Sequence, residues 1–224
     1  MTPIFQHDTA LRADFSTLRV GIVLLTNVDR LDPSKLDAAQ HLRTAFGRLA
    51  VGSESEMPQI RAWRGAYSQM GLKPTQYRCA AESLLRRLRT EGNLPTVNPV
   101  VDFCNAVSAA WAIPLAVFDL DQVVGTLTVR YAIGDERYVT FAGTEEHPEP
   151  GEVIFADSAG WAHARRWVHR QSGRSAVSSM TKRALLVTEA LHEKAVDDLG
   201  AMTAELASAF TLAGCDVQEN PPSS

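Results

Sequence analysis

The sequence predicts a mixed α/β (α+β) fold with helices packed on one side of mixed sheets. Three observations predict it. Helical patterns fill residues 32–111, short strand patterns fill 115–189, and one more helical pattern follows, an order that suits layered α+β packing. With 224 residues, 45% of them hydrophobic, the chain can bury a sizeable core and is not broadly disordered. No repeat, heptad array or low-complexity linker divides it, so residues 1–215 are expected to form one domain and 216–224 a frayed tail.

Residues 18–26 are short, continuous and β-branched, the pattern of a buried strand. Asp32-Pro33 supplies a cap and a first-turn proline, predicting a helix to about Ala50. A second helix is expected over 55–70, where Ile60, Trp63, Tyr67 and Met70 share one face and Gly71 follows as a stop; that stripe reads as core packing. Lys73-Pro74 marks a turn, and a third helix over 79–90 ends at Gly92, with Leu84, Leu85 and Leu88 inward. Asn98-Pro99 repeats the cap-then-proline signal for a helix to Trp111. After Pro114, strands are expected at 115–119, 123–131, 137–141, 152–156, 161–170 and 184–189, punctuated by Gly134-Asp135 and Pro150-Gly151. A last helix spans 194–213.

Several function classes lack their parts. No apolar run approaches a membrane span, and His7, Asp8, Arg12 and Asp14 interrupt any leader-like core, so a soluble, cytoplasmic protein is expected. Cys79, Cys104 and Cys215 form no CxxC pair and read as reduced, buried thiols. There is no GxxxxGK[ST], GxGxxG or GxSxG, and His192-Glu193 lacks a ligand-spaced second histidine. His163 and His169 are too far apart along a strand to chelate one metal and read as surface or RNA-facing. No cofactor and no metal are expected.

Charge is unevenly spread. The chain carries 22 basic and 26 acidic side chains, yet residues 61–89 hold Arg61, Arg64, Lys73, Arg78, Arg86, Arg87 and Arg89 against Glu82 alone. Residues 163–183 hold Arg165, Arg166, Arg170, Arg174, Lys182 and Arg183 with no acid. Either the runs are solvated faces, or they converge into a basic face able to take a nucleic-acid backbone.

The stretch Asn98-Pro99-Val100-Val101-Asp102-Phe103-Cys104-Asn105, followed by Ile113-Pro114-Leu115-Ala116-Val117-Phe118-Asp119-Leu120-Asp121, resembles the B3/B4 tRNA-binding and editing unit of the phenylalanyl-tRNA synthetase beta subunit. The likeness continues through Arg130, Ala132, Gly134, Glu136, Gly143, Val153–Asp157, Ser175, Val177 and Thr181. Tyr67, Gly71–Pro74, Tyr77, Arg78, Glu82 and Leu84–Arg87 are similar to the front of freestanding versions, so it covers about residues 60–190. It implies a layered β-β-α sandwich and, since synthetase subunits are far longer, a standalone domain. Such domains hydrolyse the ester of a mischarged aminoacyl-tRNA or bind tRNA without a known reaction; a binder of free amino-acid-like ligands is a third possibility. Two departures stand out. The family has His where Ala116 stands and Thr where Cys104 stands, and its Gly-rich turn is replaced by Trp167–Ser172, which implies a reshaped pocket.

An aminoacyl ester is activated, so a positioned water and a stabilised oxyanion can suffice. Asn105 is assigned to orient the water or the substrate amine, with Glu152 and Asp157 bracketing the same pocket as the other catalytic candidates. Arg166 and Arg170 are expected on one face of strand 161–170, with Arg165, Trp167 and His169 on the other. Arg165, Arg166, Trp167 and Arg170, together with Arg86 and Arg87, are the candidates for gripping the acceptor end of tRNA. Trp167 suits either a core position or a stacking platform. Asp102 and Asp119 are read as capping or pairing with a buried arginine such as Arg130, and Glu189 as a residue that either reaches the pocket or stays in the core.

Overall fold

The computed structural model describes residues 3–223, with side chains described through Glu219. The strands are β1 (Phe5–His7), β2 (Arg19–Thr26), β3 (Leu115–Asp119), β4 (Leu127–Tyr131), β5 (Arg137–Val139), β6 (Glu145–Glu146), β7 (Val153–Ala156), β8 (Trp161–Arg165), β9 (Arg170–Gln171), β10 (Arg183–Ala190) and β11 (Asp216–Ser223). The helices are α1 (Thr9–Asp14), α2 (Ala38–Val51), α3 (Pro58–Gln69), α4 (Ala80–Glu91), α5 (Pro99–Trp111) and α6 (Ala195–Leu212). One sheet runs β1-β4-β7-β8-β5-β6, with β9 paired to β8; the other runs β11-β2-β10-β3 and leaves β3 as an edge.

The layering follows from period-two burial in the four-stranded sheet. Val20, Ile22, Leu24, Phe118, Leu185 and Val187 point into a core shared with Val129, Phe155 and Ala164 of the other sheet. Val23, Leu25, Val117 and Leu186 point the other way, against Phe103 and Val107 of α5 and Leu199 and Phe210 of α6. The result is sheet on sheet on helices, the expected layered α/β architecture. Gly21 makes the last contact possible: a Cβ there would lie 2.6 Å from the Thr203 methyl of α6.

Local signals account for most boundaries. The Asn98 side chain accepts from the Val101 amide at 3.0 Å and Pro99 opens α5, as the cap-then-proline pattern predicts. Gly92 ends α4 with φ +75°. Asp32-Pro33 instead opens only a short 3-10 turn at Pro33–Lys35; the α-helix starts at Ala38, capped by Asp37.

Two expectations are corrected here. The segment 161–170 is not one strand, because the backbone turns sharply after Arg165. The segment from 216 is not frayed: Asp216–Ser223 pairs antiparallel with β2 as the outer strand of its sheet, with a register break between Asn220 and Ser223. An edge is where prolines such as Pro221 and Pro222 are tolerated, since a missing donor there breaks no inner ladder. Ser224 lies outside the described residues. Among the described residues no helix is long and apolar enough to cross a membrane.

Candidate functional site

The site begins with a strained turn. Arg166 (φ 47°) and Trp167 (φ 60°) follow one another in the left-handed region, which costs non-glycine residues about 1–2 kcal/mol each. Their surroundings over-determine the conformation. The Arg166 amide donates to Glu152 Oε1 at 2.9 Å, the Trp167 amide to the Val153 carbonyl at 2.7 Å, and the Tyr67 hydroxyl to the Arg166 carbonyl at 3.1 Å. The Trp167 ring is wedged edge-on against Trp63 and Phe15, each 4.9 Å away, and its indole N–H donates to the buried Glu189 carboxylate, which also holds His7 Nε2 at 2.6 Å.

The turn aims the next residues at the start of α4 and the open edge of β3. The Ala80 amide donates to the Val168 carbonyl at 2.8 Å, and His169 Nδ1 lies 2.7 Å from the Arg78 carbonyl. A carbonyl only accepts, so Nδ1 carries the proton and Nε2 keeps its lone pair. Burial holds the His169 pKa below the ordinary histidine value; the nearby Arg166 and Arg170 charges push the same way, against the Arg78 carbonyl and Glu152. His169 is therefore neutral at neutral pH.

Two hollows meet at the β3 edge. The smaller, about 60 Å³, is lined by Ala80, Pro114, Leu115, Ala116, Phe155, Ala164, Trp167, Val168, His169, Arg170 and Gln171. The larger, about 330 Å³, is lined by Val97, Val101, Cys104, Asn105, Leu115, Val117, Phe141, Gln171, Ala176 and Val177. Leu115 and Gln171 wall both, and Gln171 is fixed by donating its side-chain amide to the Val117 carbonyl at 2.6 Å. Burial raises the Cys104 thiol well above its usual range and Cys79 to about 12, so neither is a thiolate at neutral pH.

The two arginine-bearing stretches converge beside the smaller hollow. Arg166 stands 4.9 Å over the Tyr77 ring, which packs edge-on against His169 at 5.5 Å. Convergence does not make a bare cationic face, because Glu82 within the first run and carboxylates from elsewhere neutralise much of it. Glu54 pairs with Arg89 at 2.8 Å, Glu82 with Arg64 at 2.5 Å, and Glu146 with Arg165 at 2.8 Å and Arg170 at 3.3 Å.

A family model for the B3/4 domain matches residues 62–206, well over half of the chain. The chain belongs to the B3/4 domain family. It is 30% identical over 152 residues to the phenylalanine–tRNA ligase beta subunit of Photorhabdus laumondii, covering 66% of this chain and 18% of that protein. It is 31% identical over 134 residues to the corresponding subunit of Corynebacterium jeikeium, covering 58% of this chain and 16% of that protein. This B3/4 protein thus spans less than a fifth of the length of these two relatives. A crystal structure of an N-terminal fragment of the phenylalanyl-tRNA synthetase beta subunit from Pyrococcus horikoshii aligns with 95% of this chain and 49% of its own, at 11% identity and TM-score 0.49.

The residues singled out in the sequence are not brought together as expected. Asn105 lines the larger hollow. Glu152 lies in a different cavity, with Tyr77 and Arg166, and is bound bidentately by Arg165 at 2.8 and 2.9 Å. Asp157 is a turn organiser: its carboxylate accepts from the Val124, Ala159 and Trp161 amides and faces buried His163 at 3.2 Å. The expectation that Glu152 and Asp157 bracket one pocket with Asn105 is corrected on that geometry. Trp167 is fully buried and offers no surface for a base, and Arg165 is buried between Glu152 and Glu146. Arg170 and Arg86 are exposed and Arg87 is half-buried; Arg86 lies 4.0 Å from Glu54 and Arg87 3.0 Å from Glu91. His163 is enclosed rather than surface-facing, and Glu189 stays in the core. Asp102 and Asp119 do cap, accepting from the Val97 and Asp121 amides, while Arg130 pairs with Glu136 instead. Sequence reasoning missed His169 and Gln171 as lining residues. The signal was the stretch Trp167–Ser172 itself, where the resemblance implied a Gly-rich turn and this chain carries larger side chains.

Proposed function

We propose that this B3/4 protein acts on the aminoacylated 3′ end of tRNA, hydrolysing the ester of a mischarged amino acid with a positioned water. The observation that carries the reading is the pair of hollows at the β3 edge, flanked by the meeting point of the two arginine-bearing stretches. Ala116 and Cys104, the positions where this chain departs from the synthetase pattern, fall one in each hollow. The pocket region is thus kept while its lining has changed. The smaller hollow has room for a small acyl group and a water; the larger suits a base or a bulkier apolar group, with the Asn105 amide at its wall. Neither thiol is a nucleophile, which favours direct attack by water over a covalent intermediate. Exposed Arg86 and Arg170, with half-buried Arg87, would meet phosphates at the rim, a contact that weakens as salt rises.

The test is a panel of tRNAs misacylated with small (Ala, Ser) and aromatic (Phe, Tyr) amino acids. The expected result is that at least one ester is lost faster than by spontaneous hydrolysis, with small acyl groups ahead. No acceleration across the panel, with salt-sensitive tRNA binding retained, would leave a non-catalytic tRNA-binding module. A flat salt response would count against any RNA role.

A further inference from the structure

We infer that His169 is a catalytic residue of the smaller hollow, with its Nε2 atom accepting a proton from the reacting water; this rests on the hydrolytic reading above. His169 lines the hollow directly, its Nδ1–H is spent on the Arg78 carbonyl at 2.7 Å, and its Nε2 has no hydrogen-bond partner among the described residues. The ring cannot swivel freely. Tyr77 packs edge-on against it at 5.5 Å, and the strained Arg166-Trp167 pair fixes the backbone two residues before it. A pinned tautomer with an unpartnered nitrogen, on a residue that lines the hollow, is what a general base requires, and its orienting partner is a backbone carbonyl rather than a carboxylate. The charged and titratable groups around it agree. Arg166 and Arg170 on its own turn disfavour a second proton, Arg78 and Tyr77 on the facing loop hold the ring, and Glu152 at the start of β7 opposes the two arginines only in part.

The step balances without an added reactant. Nε2 takes a proton as the water oxygen bonds to the ester carbonyl carbon. The tetrahedral adduct then expels the ribose oxygen, the C–O ester bond breaks, and that oxygen takes the proton back from Nε2–H. The products are the free amino acid and a tRNA with its terminal hydroxyl restored; His169 ends as it began. Gln171, held by its side-chain amide on the Val117 carbonyl, is part of the same wall.

The experiment pairs single-turnover deacylation of the misacylated panel with ¹⁵N NMR of the His169 ring. His169→Asn retains an amide N–H for the Arg78 carbonyl but removes the far nitrogen; His169→Gln places a group near Nε2 that cannot take a proton. Both variants are expected to lose about 100-fold or more in deacylation rate while binding uncharged tRNA as the wild type does. The wild-type rate should fall on the acid side of its profile below the usual histidine range, and NMR should show Nδ1–H with unprotonated Nε2 at neutral pH. Wild-type deacylation with His169→Asn equally fast would overturn the role of His169 and leave the proposed function standing. An Nε2–H tautomer at neutral pH would overturn it whatever the panel shows. No deacylation by the wild type would sink the hydrolytic reading, and the base role with it.

Discussion

Arg165 and His169 are four residues apart, yet they sit in opposite kinds of environment. Arg165 is closed in, with Glu152 taking it bidentately, Glu146 closing the other side, and the Arg166 amide completing Glu152. His169 has one nitrogen satisfied, the other has no hydrogen-bond partner among the described residues, and the residue lines a hollow. The first corner spends its charges on structure, and the second keeps a polar atom in reserve. Charge density along a sequence therefore marks where ion pairs concentrate, while unfinished hydrogen bonding marks where a ligand can be received.

The comparison breaks most visibly at the closed corner. Glu152→Ala should cost about 3–5 kcal/mol in denaturant unfolding, because it leaves Arg165 buried with half its partners gone. The paired change Arg165→Met with Glu152→Leu should cost much less, since no uncompensated charge is left behind. A small loss for Glu152→Ala alone would mean that the corner is not the structural anchor described.

Asp157 offers a gentler version of the same test. Burial by itself would raise its pKa, but the His163 ring and the Val124 and Trp161 amides outweigh it and hold the carboxyl at about 2. A depressed folded pKa stabilises the protein above the unfolded carboxylate range near 3.9 and loses that contribution as pH falls through about 2. Asp157→Asn should thus cost roughly 2 kcal/mol at neutral pH and flatten the acid limb of the stability profile between about pH 4 and 2.

How much of this was legible follows from range. Caps and stops are local, so Asn98-Pro99, Gly71 and Gly92 mark helix ends within a residue or two. The stripe Ile60, Trp63 and Tyr67 likewise reads as core and is buried. The turn at Arg166 and Trp167 carries no glycine, and only long-range partners such as Tyr67 and Glu189 reveal why two bulky residues adopt it. The ion pairs that neutralise the arginine runs are just as non-local, Glu54 to Arg89 and Glu146 to Arg165 among them. Site assignment from charge runs and from the two ends of segment 152–157 consequently favoured Arg165, Glu152 and Asp157, which fold into structure, over His169 and Gln171, which line the hollow. The outer strand from Asp216 was hidden by its prolines, which read as loop until an edge position is known.

At the open end the effects are smaller in energy and sharper in function. Ala116→Leu fills the smaller hollow, so affinity for an aminoacyl-adenosine analogue should fall about 10-fold or more, while stability shifts by less than about 1 kcal/mol because the added carbons enter empty space. Charge reversal at Arg86 and Arg87 should weaken tRNA binding only a few-fold at moderate salt, since both already pair with Glu54 or Glu91. A loss of several orders of magnitude there would mean that these two arginines dominate recognition.

The most direct test of the central claim is a chemical-shift map with a non-hydrolysable 3′-aminoacylamino-adenosine. The account predicts perturbations concentrated at Leu115, Ala116, His169 and Gln171, on both walls of the β3-edge hollow. Perturbations confined to the Glu152–Arg165 corner, or none at saturating analogue, would contradict it.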